Sequence, residues 1–148
     1  MAPTVADLMN RDIEFCIPDC SVQSVARTMA ERNVGSIPVV DNTDHMVPIG
    51  ILTDRDIVTR VIARDKNPLA YTAETAMSDP AVTVQADAPL NEVLATMEKH
   101  QIRRVPVVNE QGCCAGMISQ SDVAWSAKEK DVAELVREVS RETGVPSK

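Results

Sequence analysis

Two hydroxyl–carboxylate pairs, Thr53-x-x-Asp56 and Ser119-x-x-Asp122, hold the chemistry this chain has to offer. Each follows a short apolar run that opens on glycine, Gly50-Ile51-Leu52 and Gly116-Met117-Ile118, and each leads into an apolar-periodic stretch. A carboxylate accepts two O–H donors at once, which suits the cis-diol of a ribose, and the nearby hydroxyl can bond a second polar atom of the same ligand. The start of a helix favours negative charge on a ligand beside it. The same spacing is also a helix-start signature, in which the hydroxyl caps the helix and the acid bonds back. The roles overlap, since one hydroxyl can cap and touch a ligand. Asp56→Asn separates them: a cap predicts a small loss of stability with binding retained, whereas a ribose grip predicts a binding loss on the order of 1.5–3 kcal/mol. A third feature, Arg103-Arg104, presents two guanidinium forks suited to a phosphate; its alternative is a solvated helix end, where arginines usually lie.

The elements that position these residues occur twice. Ile37-Pro38-Val39-Val40-Asp41 recurs 68 positions on as Val105-Pro106-Val107-Val108-Asn109, and Met9, Asp19, Val25 and Met29 fall on Met77, Asp87, Val93 and Met97. After a two-residue insertion in the first copy, the runs starting at Gly50 and Gly116 match again. The pattern predicts a lead-in turn at 5–9, a strand at 13–17, and a helix at 21–32 with Val22, Val25 and Met29 inward. A hairpin of strands 36–40 and 47–52 and a helix at 54–64 follow. The second copy repeats the order with a strand at 81–85 and a helix at 89–100, where Pro89 suits the first helical position. A hairpin of 104–108 and 114–118 and a helix from about Ser119 complete it. Asn67-Pro68 disfavours helix in the linker. The units expected are repeat 1 at 1–64, linker 65–73, repeat 2 at 74–127 and a tail at 128–148, where Val132, Leu135, Val136 and Val139 form an amphipathic stripe. Two units about a pseudo-two-fold axis leave clefts between them, where small molecules bind.

Composition narrows the function. A net charge of −7 argues against nucleic acid, whose binding needs phosphate neutralisation, and against an anionic membrane surface. Aromatics are 2% of the chain, so the core is built of Val, Ile, Leu, Met and Ala. The chain of 148 residues buries roughly 70% of its unfolded surface and requires no disulfide or metal. The N-terminus lacks the regions of a signal peptide and no apolar run approaches a membrane span, so a cytoplasmic protein with reduced cysteines is expected. Cys16 and Cys20, and the adjacent Cys113-Cys114, lack metal or redox spacing and read as packing residues. His45 falls on a hairpin. His100 ends a helix, where it suits the dipole and could assist a phosphate. The four methionines in register read as core or interface, and Trp125 as packing for the tail or a dimer contact. No nucleophile elbow, P-loop or dinucleotide glycine fingerprint occurs, so no enzyme is expected.

The order strand-helix-strand-hairpin-strand-helix, with apolar-Pro-Val-Val and then Gly-apolar-apolar-[Ser/Thr]-x-x-Asp, resembles the CBS domain. Two in register resemble a tandem CBS pair, or Bateman module, of the stand-alone bacterial kind, over about residues 5–64 and 74–127. The resemblance implies an α/β (α+β) fold of two pseudo-symmetric repeats, each a small three-stranded sheet with two helices. It also implies two adenosyl sites assembled crosswise. Site A would take Ile51, Thr53, Arg55 and Asp56 from repeat 1 and Ala81, Val82, Ile102, Arg103 and Arg104 from repeat 2. Site B would take Met117, Ser119, Ser121 and Asp122 from repeat 2 and Ile13, Glu14, Val34, Gly35 and Ser36 from repeat 1. Gly35-Ser36 in site B replace the two arginines of site A, and Glu14 lies nearby. Site A is therefore expected to bind AMP, ADP, ATP or NAD, and site B to bind more weakly, prefer fewer phosphates or stay empty. No metal and no catalytic cofactor are expected. The partners implied are the adenosyl ligand, a second copy in a homodimer, and a protein that receives the signal. The alternative is a ligand-free homodimeric scaffold with the same fold.

Overall fold

A computed structural model describes residues 3–126. The expected tail at 128–148 lies outside the described residues. A lead-in turn α1 (Val5–Leu8) precedes the long helix α2 (Val22–Arg32), strand β1 (Ser36–Val40) and strand β2 (Pro48–Thr53). A short α3 (Asp54–Asp56) widens into a π-helical stretch, Ile57–Val61, and tightens into a 3-10 turn, Ile62–Arg64. The second copy runs α4 (Ala73–Ala76), β3 (Val84–Gln85), α5 (Leu90–His100), β4 (Arg104–Val108) and β5 (Cys114–Ser119), followed by helix α6 at 120–126.

The two copies agree in detail. In both, an antiparallel hairpin sets the first residue of its leading strand opposite the hydroxyl residue, Ser36 against Thr53 and Arg104 against Ser119. Both carry a register shift at one place, Val39/Val40 and Val107/Val108. Helices α2 and α5 each end on a residue in the left-handed region, Asn33 (φ 53°) and Gln101 (φ 55°). The amide of the next residue then donates back to the helix, Val34 to Met29 and Ile102 to Met97, each at 3.0 Å. This closure ends the helix within one residue, and the strand begins three residues past the cap, at Ser36 and Arg104. Ser21 caps α2 by accepting from the Ser24 amide at 3.1 Å, whereas Pro89 is itself the cap of α5 rather than its first helical residue.

Three expectations change in extent, one being the strand expected at 81–85, which is confined to Val84–Gln85. The strand expected at 13–17 shrinks to a parallel bridge between Cys16 and Val39. Cys16 donates to the Pro38 carbonyl and accepts from the Val40 amide; the next donors in this parallel ladder would be Pro38 toward residue 14 and Pro18 toward residue 40, and neither has an N–H. The helix expected at 54–64 is not uniformly α. Its run of Ile57, Val58, Thr59, Val61 and Ile62 is β-branched, and such side chains crowd the preceding turn.

The two hydrophobic cores exchange their lead-in segments. Val22, Val25, Ile37, Val39 and Leu52 of repeat 1 pack with Ala73, Ala76 and Met77 from the start of the second copy. Val93, Val105, Val107 and Ile118 of repeat 2 pack with Val5 and Met9 from the start of the chain. The four methionines expected in the core or an interface, Met9, Met29, Met77 and Met97, are all buried. Backbone pairing fixes the exchange: Ile51 and Ser78 bond reciprocally at 3.0 and 2.9 Å, and Asn10 and Met117 at 2.8 and 3.0 Å. A Cβ on Gly50 would lie 2.5 Å from the Met77 sulfur and 2.9 Å from the Ser78 carbonyl oxygen, and one on Gly116 would lie 2.6 Å from the Asn10 carbonyl oxygen. These glycines admit the crossing segment, a role the hairpin alone does not require.

Candidate functional site

The exchange leaves two clefts between the repeats. The larger, of about 450 Å³, brings together Ile51, Thr53 and Arg55 from repeat 1 with Val82, Ile102, Arg103 and Arg104 from repeat 2. The smaller, of about 230 Å³, brings together Ile13, Glu14, Val34 and Ser36 with Met117, Ser119 and Asp122. Both walls are crosswise because each lead-in runs along the last strand of the other repeat.

Four of the expected residues lie elsewhere. Asp56 does not line the larger cleft. It is 8% exposed, and its carboxylate accepts from the Thr53 amide at 3.1 Å and from the Ser78 hydroxyl at 3.3 Å. Arg60 Nε stands 3.7 Å from Oδ1. Thr53 Oγ1 accepts from the Asp56 amide at 3.0 Å, which completes a reciprocal cap. Ala81 also falls outside the lining of the larger cleft. Gly35 lines the larger cleft instead of the smaller. Ser121 is exposed, with its hydroxyl 3.0 Å from that of Ser119, and does not line the smaller cleft.

Asp122 differs from Asp56. It makes the same cap, accepting from the Ser119 amide at 3.0 Å while Ser119 Oγ accepts from the Asp122 amide at 3.1 Å, but Asp122 lines its cleft. Among the described residues no side-chain donor matches Ser78: the corresponding position is Asn10, whose backbone pairs with Met117.

The charge balance of the clefts is unequal. Arg55, Arg103 and Arg104 face the larger cleft against one carboxylate, Asp54. The smaller holds Asp12, Glu14 and Asp122 against Arg32 and Arg104, and Arg32 is engaged by Asp12 at 3.2 Å and Glu14 at 3.4 Å. The smaller cleft nevertheless holds cations that the comparison of matching positions did not consider. Gly35 and Ser36 bring none, but Arg32 arrives from the end of α2 and Arg104 reaches both clefts. The sequence reading also missed Asp54, Ser78, Pro80, Gln101 and Pro106 in the larger cleft, and Asn10, Asp12 and Ile118 in the smaller. The repeat offset pairs Asn10 with Ser78, so once either lead-in is known to line a cleft the other is expected to line its counterpart.

His100 is exposed at the end of α5 and lines neither cleft. His45 is exposed on its hairpin, 3.2 Å from the Asn42 amide nitrogen. The cysteines are free thiols; burial pushes Cys16 up to about 12, with Cys20 adding to the shift, and burial also raises Cys114. Among the described residues no group of three or more His, Cys, Asp or Glu is placed to hold a metal, and no helix is long and apolar enough to cross a membrane.

A pair of interlocked sheet-and-helix repeats with two crosswise clefts defines a class, and the comparisons with known proteins identify it. A family model described as the CBS domain matches residues 5–63 and 73–128. The chain belongs to the CBS-domain family, as a tandem pair. Hypoxic response protein 1 of Mycobacterium tuberculosis is 32% identical over 136 residues, covering 92% of this chain and 93% of that protein. A crystal structure of Hypoxic Response Protein I with two coordinated zinc ions superposes with a TM-score of 0.74 at 33% identity, covering 84% of this chain and 98% of that one. The CBS domain pair of protein MJ0100, in complex with 5′-methylthioadenosine and S-adenosyl-L-methionine, superposes with a TM-score of 0.77 at 25% identity over 88% of this chain and 99% of that one. An uncharacterized Methanopyrus kandleri protein, MK0525, is 34% identical over 120 residues, 81% of this chain but 60% of that protein's length.

Proposed function

We propose that this chain is a regulatory, non-catalytic module that binds an adenosyl ligand between its repeats. The observation that carries the reading is the larger cleft, where three guanidinium groups face a single carboxylate in about 450 Å³. Guanidinium forks match phosphate oxygens, so this cleft would take AMP, ADP, ATP or NAD. The smaller cleft, with three carboxylates, would bind more weakly and prefer fewer phosphates. The adenosyl ligands held by the MJ0100 pair support the class of ligand. Binding would bias the orientation of the repeats or of two modules in a homodimer, through unequal affinity for the alternatives. The test is calorimetry with AMP and ATP on the wild type and on the double variant Arg103→Ala, Arg104→Ala. The double variant should bind more weakly with a shallower salt dependence; unchanged affinity would refute the assignment.

One observation favours the alternative, a homodimeric scaffold that works without ligand. Asp56 is already engaged by Thr53, Ser78 and Arg60, as a purely structural cap would be. Thermal shift with AMP, ATP, NAD and S-adenosylmethionine separates the two, because a ligand that binds the folded state raises Tm with its concentration.

A further inference from the structure

We propose that Arg104 is a specificity-determining residue shared by both clefts, so that one chain holds one anionic adenosyl ligand at a time. This rests on the ligand reading above. Arg104 lines the larger and the smaller cleft alike. It is exposed, and among the described residues it enters no ion pair. In the smaller cleft the other guanidinium, Arg32, is bound to Asp12 and Glu14. Arg104 is therefore the uncommitted cation there, in a lining that also holds Asp122. In the larger cleft Arg104 stands with Arg55 and Arg103. A phosphate in the larger cleft draws the Arg104 fork toward itself. The smaller cleft then keeps three carboxylates against a neutralised Arg32, and a second anion is repelled by like charge. An uncharged adenosyl ligand meets no such barrier.

The pseudo-symmetry marks the same spot. The residue matching Arg104 in repeat 1 is Ser36, which also lines both clefts. Its buried Oγ has no hydrogen-bond partner. A symmetric pair would put one guanidinium at the divide for each cleft; this chain puts one guanidinium and one hydroxyl there.

The test is calorimetry at fixed moderate salt with ADP and with adenosine, on the wild type, Arg104→Ala and Arg103→Ala. We expect a single ADP per chain but two adenosines per chain in the wild type. Arg104→Ala should weaken ADP about tenfold or more while adenosine stays within about twofold. Arg103→Ala should weaken ADP and leave the adenosine count unchanged. Two ADP per chain of similar affinity, adenosine saturating at one per chain, or equal losses of ADP and adenosine in Arg104→Ala would each overturn the shared role while sustaining the ligand reading. No heat from either compound overturns the ligand reading, and this proposal with it.

Discussion

The Ser78 hydroxyl lies 3.3 Å from both carboxylate oxygens of Asp56. A residue from the lead-in of the second repeat thus closes over the acid of the first. The same lead-in bonds β2 through the Ile51 backbone and receives the Arg60 guanidinium on its Met77 carbonyl at 2.9 Å. Asp122, its pseudo-equivalent, meets no matching hydroxyl among the described residues and faces its cleft. One motif therefore occupies two environments.

This contrast predicts unequal costs. Asp56→Asn should lower stability by about 1–3 kcal/mol, because a buried acceptor set loses its charge. Asp122→Asn should lower it less and instead weaken ligand in the smaller cleft. Ser78→Ala should release Asp56 toward the larger cleft and tighten adenosine binding there. Urea denaturation and calorimetry on the three variants check this; equal stability losses for the two aspartates would contradict the distinction.

Gly50→Ala should destabilise the fold by about 1–3 kcal/mol, since the new methyl meets the Ser78 backbone carbonyl as well as a methionine sulfur. Gly116→Ala should act alike through the Asn10 carbonyl. Gly112→Ala, in open space at φ 82°, should cost less than either, its penalty arising from backbone strain alone. Chemical denaturation orders the three.

Exchange of the lead-in segments predicts a single unfolding transition. Val5 is fully buried in the core of repeat 2 although it lies at the start of repeat 1. Val5→Ala should cost about 1–3 kcal/mol through lost burial and cavity, and both repeats should lose protection together in hydrogen exchange. Loss confined to one repeat would show that the cores are independent.

Cys16 should resist alkylation in the native protein at pH 8, where a thiol raised to about 12 carries almost no thiolate. The folded state holds this proton more tightly than the unfolded chain, whose thiol titrates near 9.0. The associated stability is present below pH 9 and declines as pH rises from about 9 toward about 12. Cys16→Ala should flatten that decline, as read by urea denaturation from pH 8 to 10.5.

The internal repeat made the architecture legible. Apolar spacing located α2, α5 and the two hairpins to within a residue or two, because core burial and local geometry impose the same period. The [Ser/Thr]-x-x-Asp caps were legible for the same reason: three residues separate the atoms that bond. The expected strand at 13–17 was too long because its ladder depends on a distant partner: Pro38 of β1, like Pro18, has no N–H to extend it. What the linear order could not carry was set by contacts between distant segments. Whether an aspartate faces a cleft or a neighbour's hydroxyl depends on Ser78, 22 residues from Asp56. Whether a cleft is cationic depends on Arg32 and Arg104, which reach it from a helix end and from the opposite repeat. Sequence periodicity encodes which face of an element turns inward; only the packing of one repeat on the other decides what that face meets.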